Sequence, residues 1–338
     1  MTTETPDKQI LRSNFRPAWW LRHRHLQTIY PSFPWAYRHR PEIRREILDL
    51  PDGDVTAVDW VVETEDLPPT SPLLLILHGL ESSAESSYAR MLMQTATDHG
   101  WHCCVMHFRD CGDYRNRLPR RYHAGETNDV RFFLGQLEAS EKYGPIAAAG
   151  YSLGGNVLLK YLGESAGTTP LRAACAVCVP LDLYLCADAL NNGFSKIYQH
   201  YLIKSMKSSL ARKFDRHTAA FDWQRAMSAK TFAEFDDAVT APLHGFNGMN
   251  DYYDRSSSMH FLGTIERPTL IINALDDPFM TPGVITALNK VSDAVRIEVS
   301  DHGGHVGFID GGTPWKPSFY LPDRITEFLA PNMAMPGM

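Results

Sequence analysis

A chain of 338 residues with 44% hydrophobic content is long enough to bury one large core. Its formal net charge of -6, with no basic stripe to neutralise phosphates, excludes a nucleic-acid partner and leaves a small-molecule or lipid substrate. The longest strongly apolar run, Leu73 to Leu77, is far too short to cross a bilayer, and MTTETPDKQILRSNF lacks the apolar region of a secretory leader. A cytoplasmic chain with no transmembrane segment is therefore expected, with peripheral membrane contact left open.

In chain order, His23 and His25 have no neighbouring ligand-type residue and are expected at the surface. Strands are predicted over Arg45 to Leu50 and Val55 to Val62, joined across Asp52-Gly-Asp, and then over Leu73 to Leu77. A helical pattern at Ser87 to His99 precedes a strand at His102 to Phe108. A helix at Thr127 to Tyr143 leads to a strand at Ile146 to Tyr151, a helix at Leu153 to Glu164 and a strand at Ala173 to Val179. Leu181 to Arg267 shows no clear strand and carries helical runs, so it is expected to be a helical cap inserted over the strand ends. Strands at Thr269 to Ala274 and Val295 to Val299 resume the alternation, with helices at Pro282 to Val291 and Pro322 to Leu329. The pattern predicts a single α/β domain over residues 1–338: a mostly parallel eight-stranded sheet flanked by helices, with an antiparallel edge.

Six cysteines do not make a disulfide framework in a chain of this length. Cys175 and Cys178 have CxxC spacing, but no second pair completes a zinc site. In a strand, an offset of three would put their thiols on opposite faces.

Gly150-Tyr-Ser-Leu-Gly154 lies between a predicted strand and a predicted helix. Ser152 at such a junction could simply cap the helix, but a cap does not explain glycine two residues before it and two after. A nucleophile on a strained turn explains both, because residues flanking such a turn crowd one another and the next strand. A serine hydroxyl then needs a histidine base and a carboxylate, in the order Ser, acid, His. Asp276 and Asp277 follow the seventh predicted strand, and His302 and His305 follow the eighth. His305, preceded by two glycines, is the better base. Pro278 disfavours the α region for Asp277, which should extend along the sheet's rim, whereas Asp276 is expected to bond nearby backbone N–H groups. The N–H groups of Leu153 and Leu80 are the expected oxyanion donors, and His78 is expected to order the Leu80 loop.

These residues, with the blocks HLQTIY, LHGLESS, YHAGETNDV, GYSLGGN, EFDDAVTAPLHGF and DHGGHVGF, resemble the YheT-like branch of the α/β-hydrolase superfamily, the type-4 esterases. The resemblance implies Ser152 as nucleophile, Asp277 as acid and His305 as base. It also implies a carboxylesterase acting on short-to-medium acyl esters without metal or organic cofactor, a phospholipid or monoacylglycerol acyl hydrolase being the alternative. A silent hydrolase fold that only binds ligand is the rival of another class; no triad member is missing here. Relatives usually carry glycine where this chain has Asp110, which singles out that turn near the pocket.

Overall fold

The run Leu73–Leu77 has no polar residue to alternate with, and it forms a strand buried on both faces. Leu73, Leu75 and Leu77 point into one core layer, Leu74 and Ile76 into the other, and all five are fully buried. The computed structural model describes residues 9–33, 35–37 and 39–334; the start of the leader reading, residues 1–8, lies outside them.

The first described elements are β1 (Ile10–Arg12) and α1 (Arg24–Ile29). A hairpin, β2 (Ile43–Asp49) and β3 (Val55–Val61), is followed by β4 (Leu73–Leu77), α2 (Ser87–Asp98) and β5 (His102–Met106). Next come α3 (Asn128–Ser140), β6 (Ile146–Tyr151), α4 (Leu153–Ser165) and β7 (Leu171–Val177). The segment after β7 holds α5 (Leu183–Ala189), α6 (Ser195–Lys213), α7 (Trp223–Ser228) and α8 (Phe232–Phe235). A π-helical stretch, Asp236–Thr240, leads into α9 (Ala241–Leu243) and α10 (Gly248–Ser256). The chain closes with β8 (Thr269–Ala274), α11 (Gly283–Thr286), β9 (Val295–Ser300), β10 (Ile309–Thr313), β11 (Lys316–Phe319) and α12 (Tyr320–Met333).

The main sheet runs β1-β9-β8-β7-β6-β4-β5-β3-β2 and has nine strands, not the eight expected. The extra one, β1, pairs parallel with β9, Ile10 opposite Ile297, and at three residues it is too short to show an alternation. Only β3 breaks the parallel order, lying antiparallel to both β2 and β5. A separate hairpin, β10 with β11, also escaped prediction. The predicted helix at Pro282 to Val291 shrinks to α11, and the Ser292 N–H instead bonds to the Leu262 carbonyl.

Helices cover both faces. Ala89, Leu92 and Met93 of α2 and Ile325 and Leu329 of α12 fill one layer; Phe133 and Leu134 of α3 and Leu158 and Leu162 of α4 fill the other. At about 1.5–3 kcal/mol for each fully buried large aliphatic or aromatic side chain, these two layers dominate the folding free energy. Between β7 and β8 the described residues hold no strand, and the helices there close a smaller core of their own around Ile203, Met206, Leu210, Phe235 and Val239.

The CxxC expectation fails in its geometry. Strand β7 ends at Val177, Cys178 adopts φ +50°, and the broken alternation puts both thiols in the same core layer. All six cysteines are free and buried.

Candidate active site

Parallel strands raise their carboxyl ends to one edge of the sheet, and the site forms there. At the end of β6, Ser152 takes φ +52° and ψ -119°, a conformation that L residues avoid, before α4 begins at Leu153. The flanking glycines permit it. A Cβ on Gly154 would sit 2.4 Å from the His78 carbonyl oxygen and 2.5 Å from that of Leu77; one on Gly150 would sit 2.6 Å from the Gly154 carbonyl oxygen.

His305 follows β9 and turns back toward this serine. Its Nε2 lies 3.0 Å from Ser152 Oγ, and its Nδ1 lies 2.8 Å from Asp277 Oδ2. Asp277 is buried after β8, and its other oxygen accepts the Phe279 N–H at 2.8 Å. The Phe279 ring stacks on the imidazole, centroids 4.1 Å apart. Asp276 instead accepts the Gly304 N–H at 2.9 Å and meets exposed His302 at 3.4 Å. The structure thus brings Ser152, His305 and Asp277 together and leaves His302 and Asp276 outside the chain of hydrogen bonds.

Sequence reasoning gave no role to the residues that hold the histidine loop. The His305 N–H donates to Thr28 Oγ1 at 2.9 Å, and the fully buried Gln27 amide bonds to Ile309 N–H and carbonyl and to the Leu21 carbonyl. The only signal for them in the sequence is the block HLQTIY, which contains Gln27 and Thr28. Contrary to expectation, His25 is not a surface residue: it is buried against the Phe194 ring at 4.3 Å, with Nδ1 3.1 Å from the Tyr198 hydroxyl. Burial, then the charges of Arg24 and His23, lower its pKa. Behind the histidine loop, Cys178 Sγ accepts the Val306 N–H at 3.2 Å, a contact that explains the thiol better than redox chemistry does.

On the opposite side, His78 accepts the Phe108 N–H on Nε2 at 3.1 Å, so Nδ1 carries the proton and donates to the Gly79 carbonyl at 2.7 Å. Burial and the charge of His107 depress its pKa to about 3, which keeps it neutral. The Gly79 N–H is spent on the Tyr88 hydroxyl. Leu80 and Leu153 both line the cavity beside Ser152. The Leu80 N–H has no acceptor among the described residues, and that of Leu153 is one of the first-turn donors that a helix leaves free. Glu81, at φ +51°, anchors the loop through Arg121 at 2.6 Å, the Tyr122 hydroxyl at 2.9 Å and Ser209 of α6 at 2.6 Å. Asp110 adopts φ +67°, which explains why glycine suits this turn, and its carboxylate pairs with Arg121 at 3.0 Å.

Above Ser152 lies a cavity of about 590 Å³, walled mainly by Leu80, Leu183, Leu190, Met206, Phe235, Val239 and Tyr252. Buried Asp236 reaches it from the π-helical stretch, bonded to Thr240 at 2.6 Å and to the Tyr253 hydroxyl at 2.9 Å. Cys178, Asp277 and His305 bring ligand-type atoms within 4.8 Å of one another. Both imidazole nitrogens and the sulfur are already hydrogen-bonded, so this set offers no open coordination face for a metal.

Three comparisons bear on what this site belongs to. Residues 72–312 match the α/β hydrolase fold family. An Escherichia coli (strain K12) protein named "Putative esterase YheT" is 39% identical over 332 residues, 97% of this chain and 96% of that one. A Mus musculus protein named "Phospholipase ABHD3" is 27% identical over 334 residues, 97% and 80% of the two chains. Among solved structures, the Pyrococcus furiosus esterase Pf2001 covers 87% of this chain and 94% of its own with a TM-score of 0.56; at 17% identity that likeness speaks for the fold alone. Strand order, junction geometry and near end-to-end similarity agree, and the chain belongs to the α/β-hydrolase fold family, in its YheT-like branch.

Proposed function

We propose that the protein is a serine carboxylesterase that hydrolyses short-to-medium acyl esters through Ser152, His305 and Asp277. The observation that carries this reading is His305 bridging Ser152 and Asp277, at 3.0 and 2.8 Å, on the floor of an apolar cavity. As Ser152 Oγ attacks the ester carbonyl, His305 Nε2 takes its proton, and Asp277 stabilises the imidazolium through Nδ1. The developing oxyanion receives the N–H groups of Leu80 and Leu153, reinforced by the positive end of α4. The tetrahedral intermediate collapses, His305 protonates the departing alcohol, and the acyl-enzyme remains. A water molecule deprotonated by His305 then releases the acid and restores the serine. No metal or organic cofactor enters this scheme.

In this reading the chain is one domain, with residues 181–267 serving as a cap whose helices α5, α6 and α8 roof the acyl cavity. Six free thiols suit a reducing compartment, so we assign it to the cytoplasm. A second reading, phospholipid or monoacylglycerol acyl hydrolysis, is favoured by the exposure of Ile197 and Tyr201 at the cavity and by relatives named phospholipase. Initial rates on p-nitrophenyl esters of increasing acyl length, followed by phospholipids and monoacylglycerols, separate the two. The first reading expects a maximum within about C2 to C8; a maximum on long-chain emulsions would transfer the assignment to the second. Labelling by a fluorophosphonate probe, mapped to Ser152, tests the nucleophile in either case.

A further inference from the structure

The overall charge of -6 conceals a local reversal. From Ser13 to Pro41 the chain has no Asp or Glu but five arginines, three histidines and seven aromatic residues; Ser195 to Lys213 likewise has no acid and five lysines or arginines. These two stretches contain α1 and α6, which are packed together through His25 on Tyr198 and on Phe194, the residue that precedes α6. The active-site cavity passes between them, since Ile29, Pro31 and Ser32 line it from one side and Ile197, Tyr198 and Tyr201 from the other.

The rim of this mouth is apolar where water should favour polar groups. Tyr201 is 71% exposed, Ile197 57%, Phe194 46%, and beside α1 Leu26 is 52% and Trp35 46% exposed. Trp35 stacks face to face on Phe33, centroids 4.6 Å apart, and both residues remain partly exposed. Scattered surface apolar residues need no explanation, but here they recur along α1, α6 and the residues beside them, and two of them, Ile197 and Tyr201, line the opening itself. Cations stand among them. Arg22, Arg24, Lys196 and Lys204 are exposed, and none forms an ion pair among the described residues. Aromatic rings and unpaired cations, supplied by two stretches that themselves contain no acid, match a bilayer interface, where rings sit at headgroup depth and basic side chains meet anionic lipid. Arg40, at the end of the first stretch, is not one of these four cations and pairs with Glu85 at 3.9 Å.

We propose that this rim, from α1 through Trp35 and along the exposed face of α6, docks the protein on an anionic lipid surface and so feeds bilayer-dissolved esters into the cavity. The proposal rests on the esterase reading only for what is delivered; the docking itself is independent of catalysis. A protein partner or a second copy of the chain would place the same face differently, and the experiment distinguishes them.

The test is sedimentation of the purified full-length protein with vesicles of phosphatidylcholine alone and with about a third phosphatidylglycerol, run on wild type and on Ser152→Ala. Both should bind the anionic vesicles alike. The pair Phe33→Ser and Trp35→Ser, neither residue lining the cavity, should cut partitioning at least about tenfold. The pair Lys196→Glu and Lys204→Glu should cut it about tenfold or more on anionic vesicles only. All four substitutions should leave hydrolysis of a water-soluble ester unchanged, which also shows that the variants fold. Wild-type protein that stays in the supernatant, or variants that partition as wild type does, would overturn the proposal. So would light scattering that shows a wild-type dimer, dissociated by Phe33→Ser and Trp35→Ser, without vesicle binding.

Discussion

The backbone N–H of His305 donates to the Thr28 hydroxyl at 2.9 Å, so a short helix 277 residues upstream fixes the height of the histidine over the serine. Thr28→Val keeps the shape and removes the acceptor, leaving a partly buried N–H without a partner at a cost of about 1–3 kcal/mol. We expect kcat to fall on the order of tenfold, with Thr28→Ser restoring it, because a small displacement of a general base is costly. Equal kcat for the valine variant and wild type would separate α1 from the site.

At Gly154 the limit is steric. An added methyl would face the backbone carbonyls of Leu77, the last residue of β4, and of His78 just beyond it, and neither can swing away as a side chain would. Gly154→Ala should lose roughly 1–3 kcal/mol in denaturant unfolding and most of its esterase activity, since the strain is relieved by moving the Ser152 turn. Wild-type stability and rate together would show that the junction is looser than its geometry indicates.

Two adjacent acids provide a sharper contrast. Asp277 touches the imidazole and Asp276 touches the Gly304 N–H. Asp277→Asn should lower kcat by about 10⁴, because an amide holds the ring in the wrong tautomer, and Asp276→Asn should cost less than about tenfold. Steady-state kinetics of both, with circular dichroism as the folding control, decides; a dead Asp276→Asn beside an active Asp277→Asn moves the acid by one residue.

The ease of reading these features from sequence follows from how local each one is. Gly150, Ser152 and Gly154 act within one turn, and β4 and β6 announce themselves as short apolar runs, so the elbow and the sheet's centre were legible. The supports of His305 were not, since Gln27 and Thr28 reach it across the whole chain and nothing in their own neighbourhood marks them as polar contacts of the loop that carries His305. His25 was misread for the same reason: its partners, Phe194 and Tyr198, arrive from the N-cap and first turn of α6. Strand β1 is defined only by its pairing with β9, and the turn at Cys178 only by the left-handed residue that ends β7.

Asp236 gives a pH signature. Burial raises its pKa to about 6, against the hydrogen bonds from Thr240 and Tyr253. The folded state therefore binds this proton more tightly than the unfolded chain does. The resulting stabilisation is complete below about pH 4 and is lost as pH rises through about 6, up to roughly 3 kcal/mol in all. Asp236→Asn cannot titrate, so its stability relative to wild type should increase between pH 4 and pH 7 in urea unfolding. A constant difference across that window would mean that Asp236 is ionised throughout.

Ser152→Ala tests the central claim most directly, because it removes the one oxygen that His305 Nε2 meets at the cavity. Measured with a p-nitrophenyl ester inside the preferred range, kcat should fall by about 10⁴ or more, with only the oxyanion donors and binding left to act. The variant should keep the wild-type circular dichroism spectrum. A folded Ser152→Ala protein that turns over the ester at the wild-type rate would contradict the account.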